Sequence, residues 1–192
     1  MKKIFSPYRI CPIGAHIDHQ GGAVLGRTLA LGTTLDYEPL DSNEIVISSD
    51  QFGESKFAIG ELDTNHWTRY AQAAVRVLQP QRGMKAHVNG SLIGAGLSSS
   101  ASVALAYLQA LADVNDIELS RAQLVQKEFE LEHDVLGLQI GLLDPLTIVH
   151  GHTGRYSLGH FRVSVTPAPL EVLALPDDVR AGRWLDAWII QH

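Results

Sequence analysis

The chain has 192 residues, with 15 Lys and Arg against 21 Asp and Glu, so its formal net charge is −6 with the histidines neutral. With 45% of residues hydrophobic and 19% charged, it can close a core, which excludes a disordered or low-complexity chain. The length fits one large domain or one and a fraction, and the composition lacks the Lys/Arg run of a nucleic-acid surface and the roughly 20-residue apolar stretch of a membrane span.

Met1-Lys2-Lys3-Ile4-Phe5 runs straight into Ser6-Pro7 without a leader's long apolar region, so a cytoplasmic location is expected. A single cysteine, Cys11, excludes an internal disulfide or a cysteine-rich zinc site and reads as a small buried apolar residue. Residues 9–13 read as a strand and 14–22 as a polar loop closed by two glycines. Residues 23–35, 44–49 and 56–59 read as sheet, the last after an Asp50-Gln51-Phe52-Gly53 turn. Asp63-Thr64-Asn65 is a candidate cap for a helix carrying Trp67, Tyr70, Ala71, Ala74, Val75 and Leu78 at helical spacing and stopping before Pro80. A strand is expected at 85–88 and a helix at 101–114, and Ser120 with Gln123 makes a capping box for a helix to about residue 133. Strands return at 155–158, 161–166 and 171–175. This order predicts an α+β layer with helices on one face of a mixed sheet rather than a regularly alternating βαβ fold. The apolar end, with Trp184, Trp188, Ile189 and Ile190, has no cap or closing strand, as though the chain stops before its fold does.

Three constellations carry chemistry. Gly94-Ala95-Gly96-Leu97-Ser98-Ser99-Ser100-Ala101-Ser102 leads into a helix, and glycines, hydroxyls and a helix start together suit an anion such as phosphate. The other reading is a flexible loop whose serines cap the helix. Arg9, followed by His16, Asp18 and His19 in a glycine-bounded loop, suits the hydroxyls of a polyol, with zinc or a plain polar turn as the alternatives. Glu132-His133, then Gly141-Leu142-Leu143-Asp144, sets one acid among leucines, where it needs a partner as a base or a cation ligand. A helix cap with Pro145 in the first turn is the structural alternative. The alternation Glu128, Glu130, Glu132, Asp134 reads as a solvated face.

Together, in order and spacing, these residues resemble the sugar-kinase branch of the GHMP kinases, and the segment from Ser6 to Gly22 is similar to galacturonokinases more than to ordinary galactokinases. The resemblance implies the ribosomal protein S5 domain 2-like fold of the family's N-terminal domain over residues 1–180. Residues 181–192 form an atypical tail, and a separate chain would supply a missing C-terminal domain. It implies an ATP- and Mg2+-dependent transfer of the γ-phosphoryl to the anomeric hydroxyl of galacturonate or galactose, or else an inactive binding remnant. Asp144 would be the base and Arg9 the phosphoryl-stabilising cation, with Ala15, His16, Asp18 and Gly141 at the sugar. Trp67 and Tyr70 would lie beside adenine, with Gly94, Ala95, Gly96, Leu97, Ser98, Ser99 and Ser100 around the phosphates, and Ser100 and Glu132 at Mg2+. Small-molecule sugar and ATP are the expected partners, with no nucleic acid and no membrane. Three positions depart from the galactokinase pattern: Ala15 replaces a Glu, Pro145 follows the base where Gln is usual, and Ser91 stands where the phosphate motif often begins with Pro.

Overall fold

The structure, a computed structural model, describes residues 1–14, 23–90, 96–151 and 161–164. Six strands, β1 (Lys2–Ile13), β2 (Ala23–Leu40), β3 (Glu44–Ser49), β4 (Gly53–Ala58), β5 (Gly83–Gly90) and β6 (Phe161–Ser164), form one sheet. Its order is β1-β2-β5-β3-β4, with β6 also on β2. Every pair is antiparallel except β3 with β5, so the sheet is mixed, as expected. The long β2 is the hub: residues 33–40 pair with β5, residues 23–26 with β6, and its other side carries β1.

Alternation explains the core. Leu35 and Tyr37 of β2, Ile45 and Ile47 of β3, and Met84 and Ala86 of β5 are buried on one face. They share a core with Ala71, Ala74 and Val75 of α1 (Arg69–Leu78) and Leu105, Leu108 and Leu111 of α2 (Ser99–Val114). Burying each large aliphatic side chain contributes about 1.5–3 kcal/mol. Two further helices, α3 (Arg121–Phe129) and α4 (Leu143–His150), close the layer. Among the described residues no helix is long and apolar enough to cross a membrane.

The start of α1 differs from the expectation. Asp63 accepts from the Asn65 backbone N–H at 2.9 Å, and its own N–H donates to Gln72 Oε1, so it closes a local turn. Thr68 takes the cap position, and Trp67 precedes the helix. The capping box of Ser120 and Gln123 forms as read. The helix expected to run to about residue 133 keeps α geometry only to Phe129 and widens into a π-helical turn over Glu130–Val135, where the Leu136 N–H reaches Leu131 O at 3.1 Å. Helix α4 has no polar cap, since Leu142 holds that position, and its short apolar run does not announce a helix. Cys11 is half-buried beside Val24, Leu143 and Leu146 rather than fully enclosed. The expected strands at 155–158 and 171–175 lie outside the described residues.

Candidate active site

A break in the β1/β2 ladder starts the site. Pro7 pairs with Gly32 but Arg9 with Thr28, so residues 29–31 of β2 stand opposite Tyr8 alone. At this bulge the Arg9 N–H donates to Leu97 O at 3.0 Å, which ties the segment before α2 to β1. Gly96 has φ 71°, which glycine adopts without strain, and Ser98 has φ 57°, which costs a non-glycine residue about 1–3 kcal/mol. Ser98 stands at the cap position of α2, yet its side chain does not cap the helix. Its hydroxyl instead donates to Asp144 Oδ2. The capping alternative therefore fails for this serine.

Asp144 is the second residue of α4 and not its cap. Arg9 Nε lies 2.7 Å and Nη2 2.5 Å from Asp144 Oδ1, with only 16% of the Arg9 side chain and 23% of the Asp144 side chain exposed. Helix α4 reaches this position because Gly26 of β2 has no side chain: a Cβ there would sit 2.1 Å from Thr147 Oγ1. Ser102 anchors α2 to the sheet from within: its hydroxyl donates to Ser6 O at 2.7 Å and lies 3.0 Å from Thr33 Oγ1. Neither Gly26 nor Ser102 carries a sequence signal for these roles beyond being small.

The reading of Glu128, Glu130, Glu132 and Asp134 as one solvated face is overturned. Glu128 and Glu132 are buried, at 0% and 1% exposure, while Glu130 is half-buried and Asp134 exposed. On a helix, residues two apart lie on opposite sides and residues four apart on the same side, so the row splits into an inward and an outward pair. Glu132 shares a hydrogen bond with the Ser100 side chain, and Tyr70 shares another with the same side chain. Burial pushes the Glu132 carboxyl up to about 7, with Asp144 adding to the rise and Ser100 opposing it. Burial, then Glu132, then Asp144 push Glu128 well above the carboxylate range. Burial and Glu132 also raise Tyr70. The Glu128 and Glu132 carboxyls hydrogen-bond each other, and among the described residues no other donor reaches either Glu128 oxygen or Glu132 Oε1. That pair of acids, with the Ser100 hydroxyl alongside, fits an oxygen-seeking cation, although no group of three or more acidic, His or Cys side chains gathers around one point among the described residues.

The structure thus gathers Arg9, Ser98 and Asp144 in one cluster, and Asp144 acts by charge on Glu132, which is joined through the Ser100 side chain to Tyr70. Gly141 is half-buried in the link leading to α4. Trp67 stacks on Phe52, ring centroids 5.5 Å apart. His133 is exposed and stacks on Phe129. Ala15, His16, Asp18, His19, Gly94 and Ala95 lie outside the described residues.

This strand, loop and helix arrangement has known counterparts. Residues 69–152 match the family model described as GHMP kinases N terminal domain. A galacturonokinase of Arabidopsis thaliana is 34% identical over 80% of this chain and 43% of its own length. A galactokinase of Thermococcus kodakarensis is 34% identical over 80% of this chain and 45% of its own. The crystal structure of Lactococcus lactis galactokinase complexed with galactose superposes with a TM-score of 0.76 at 27% identity, covering 87% of this chain and 48% of that one. Methanococcus jannaschii mevalonate kinase, 19% identical with a TM-score of 0.70, shares the fold over 85% of this chain and 53% of its own. The fold is that of a GHMP kinase N-terminal domain, whose family model matches residues 69–152. It spans less than half the length of the galacturonokinase and galactokinases it resembles.

Proposed function

We propose that this chain is the ATP- and sugar-binding part of a sugar 1-kinase that phosphorylates the anomeric hydroxyl, with galacturonate preferred over galactose. The observation that carries the reading is the convergence of the Arg9 guanidinium and the Ser98 hydroxyl on the Asp144 carboxylate, beside the start of α2. A carboxylate has about four acceptor positions. Two Arg9 N–H groups occupy Oδ1 and one hydroxyl occupies Oδ2, which leaves an acceptor position on Oδ2 for the sugar hydroxyl.

In this reading Asp144 takes the proton of the anomeric hydroxyl as the bond from that oxygen to the γ-phosphorus forms. The bond from that phosphorus to its bridging oxygen breaks, and ADP leaves. Arg9 stabilises the charge on the phosphoryl in flight, a job of position and electrostatics rather than covalent chemistry. Backbone N–H groups at the α2 start hold the ATP phosphates. Ser100 and Glu132 are the residues that would hold Mg2+, which when bound neutralises phosphate charge.

The preference for galacturonate rests on Ala15 and on the 34% identical galacturonokinase. A Glu facing the C6 carboxylate of a uronic acid would repel it by about 4 kcal/mol at a separation near 4 Å and an effective dielectric near 20, and Ala removes that repulsion. The short span relative to the relatives supports a second reading, a chain that binds nucleotide and sugar without turning them over. Sugar-dependent ADP release, compared for galacturonate and galactose, separates the two. Faster release with galacturonate, lost in Asp144→Ala by a factor of about 100 to 10,000, supports the kinase. Nucleotide binding without release supports the second reading, and a clear galactose preference removes the substrate assignment.

A further inference from the structure

Glu128 is the group the proposed mechanism leaves unexplained. It is fully buried on α3, one helical turn before Glu132, and its carboxyl hydrogen-bonds that of Glu132, so the two acids share a proton when no cation lies between them. Its contact with Glu132, which also bonds the Ser100 side chain, sets it beside the site. Two buried acids at i and i+4 on one helix face repel each other once both are charged, and a shared proton or a shared cation relieves that. Lys127, next to it in sequence, pairs with Glu130 at 2.7 Å, Arg9 is engaged by Asp144, and Arg69 acts on Glu132 rather than on Glu128. The helix also changes from α to π geometry between the two acids, and such turns recur at functional sites because they redirect the side chains they carry.

We propose that Glu128 is a second carboxylate of the divalent-cation site, sharing with Glu132 the charge of the cation that accompanies the nucleotide. The inference rests on the kinase-type reading of the site and adds a residue to it. Two carboxylates and the Ser100 hydroxyl give the cation a hard oxygen face, with the remaining positions left for water and phosphate oxygens. Cation binding displaces the proton the two acids share, so the Glu128 charge counts toward the affinity whether it touches the cation or supports Glu132 from behind.

The test is Mn2+ binding to the intact chain with ADP present, followed by the loss of the free-ion electron paramagnetic resonance signal, together with melting temperatures in a metal chelator. Glu128→Gln keeps the shape and removes the charge. It is expected to weaken Mn2+ binding by about 10- to 100-fold, as changes next to metal ligands do, and to melt at or above the wild-type temperature without metal. Glu128→Asp, which keeps the charge, is expected to retain part of the affinity and stands in should the Gln variant fold poorly. If Glu132→Gln loses Mn2+ while Glu128→Gln binds as the wild type does, the proposal is overturned and the site reading survives. If neither substitution changes Mn2+ binding, both fall.

Discussion

Ser98 stands at the cap position of α2 without capping it. Three serines before a helix raise the prospect of caps, yet Ser98 sits in a left-handed conformation and donates to Asp144 across 46 positions of sequence. No local pattern encodes a bond of that reach. Ser98→Ala is expected to cost about 1–3 kcal/mol in urea unfolding, because Asp144 Oδ2 stays half-buried and loses its donor. Glu132 gives the second prediction at this scale. Its carboxyl titrates near 7 when folded against 4.5 ordinarily, so between those values the folded chain holds a proton that the unfolded chain has released. Stability of the chain in chelator therefore falls as pH rises from 4.5 to about 7, and Glu128, also raised, adds to the fall. Melting curves across this range should show that slope, and Glu132→Gln should flatten it. A stability that climbs with pH there contradicts the burial argument.

Among the elements, those with strong periodicity were legible in the sequence. Strand β3 falls on the expected residues, and α1 ends at Leu78, before Pro80, as read. Helix α3 starts from its capping box. The boundary misses have physical causes. Asp63 spends its carboxylate on a turn, and the extra length of β1 before Arg9 is paid out in pairing with β2, which a strand's own composition does not display. Helix α4 stayed hidden because its position is set by tertiary packing, through the missing side chain at Gly26. Gly26→Ala pushes a Cβ into Thr147 and should destabilise the chain by about 1–3 kcal/mol, read as a lower melting temperature. Thr147→Ala in the same chain should recover part of the loss by removing the nearest atoms. Equal melting of Gly26→Ala and wild type would mean that α4 does not lean on β2 as described.

Among the described residues, one sheet and the four α-helices packed against it bring together residues far apart in the chain: Arg9 from β1, the start of α2, and Asp144 from α4. The α+β class and the order of motifs could be read along the sequence, since each motif is local. Their convergence could not, because it depends on the β1/β2 bulge, the bond from the Arg9 N–H to Leu97 and the close approach at Gly26. The inward turn of Glu128 and Glu132 was misread for a related reason: the sequence shows an alternating row, and only the helix sorts it into faces. The central claim is that these parts surround the terminal phosphate of a nucleotide. Titrating ATP and ADP separately into wild type and Arg9→Ala tests it most directly. Wild type should bind ATP more tightly than ADP, and Arg9→Ala should lose about tenfold or more of that preference, the worth of a charge-assisted hydrogen bond to the extra phosphate. An ATP-to-ADP affinity ratio unchanged by the substitution would contradict the account.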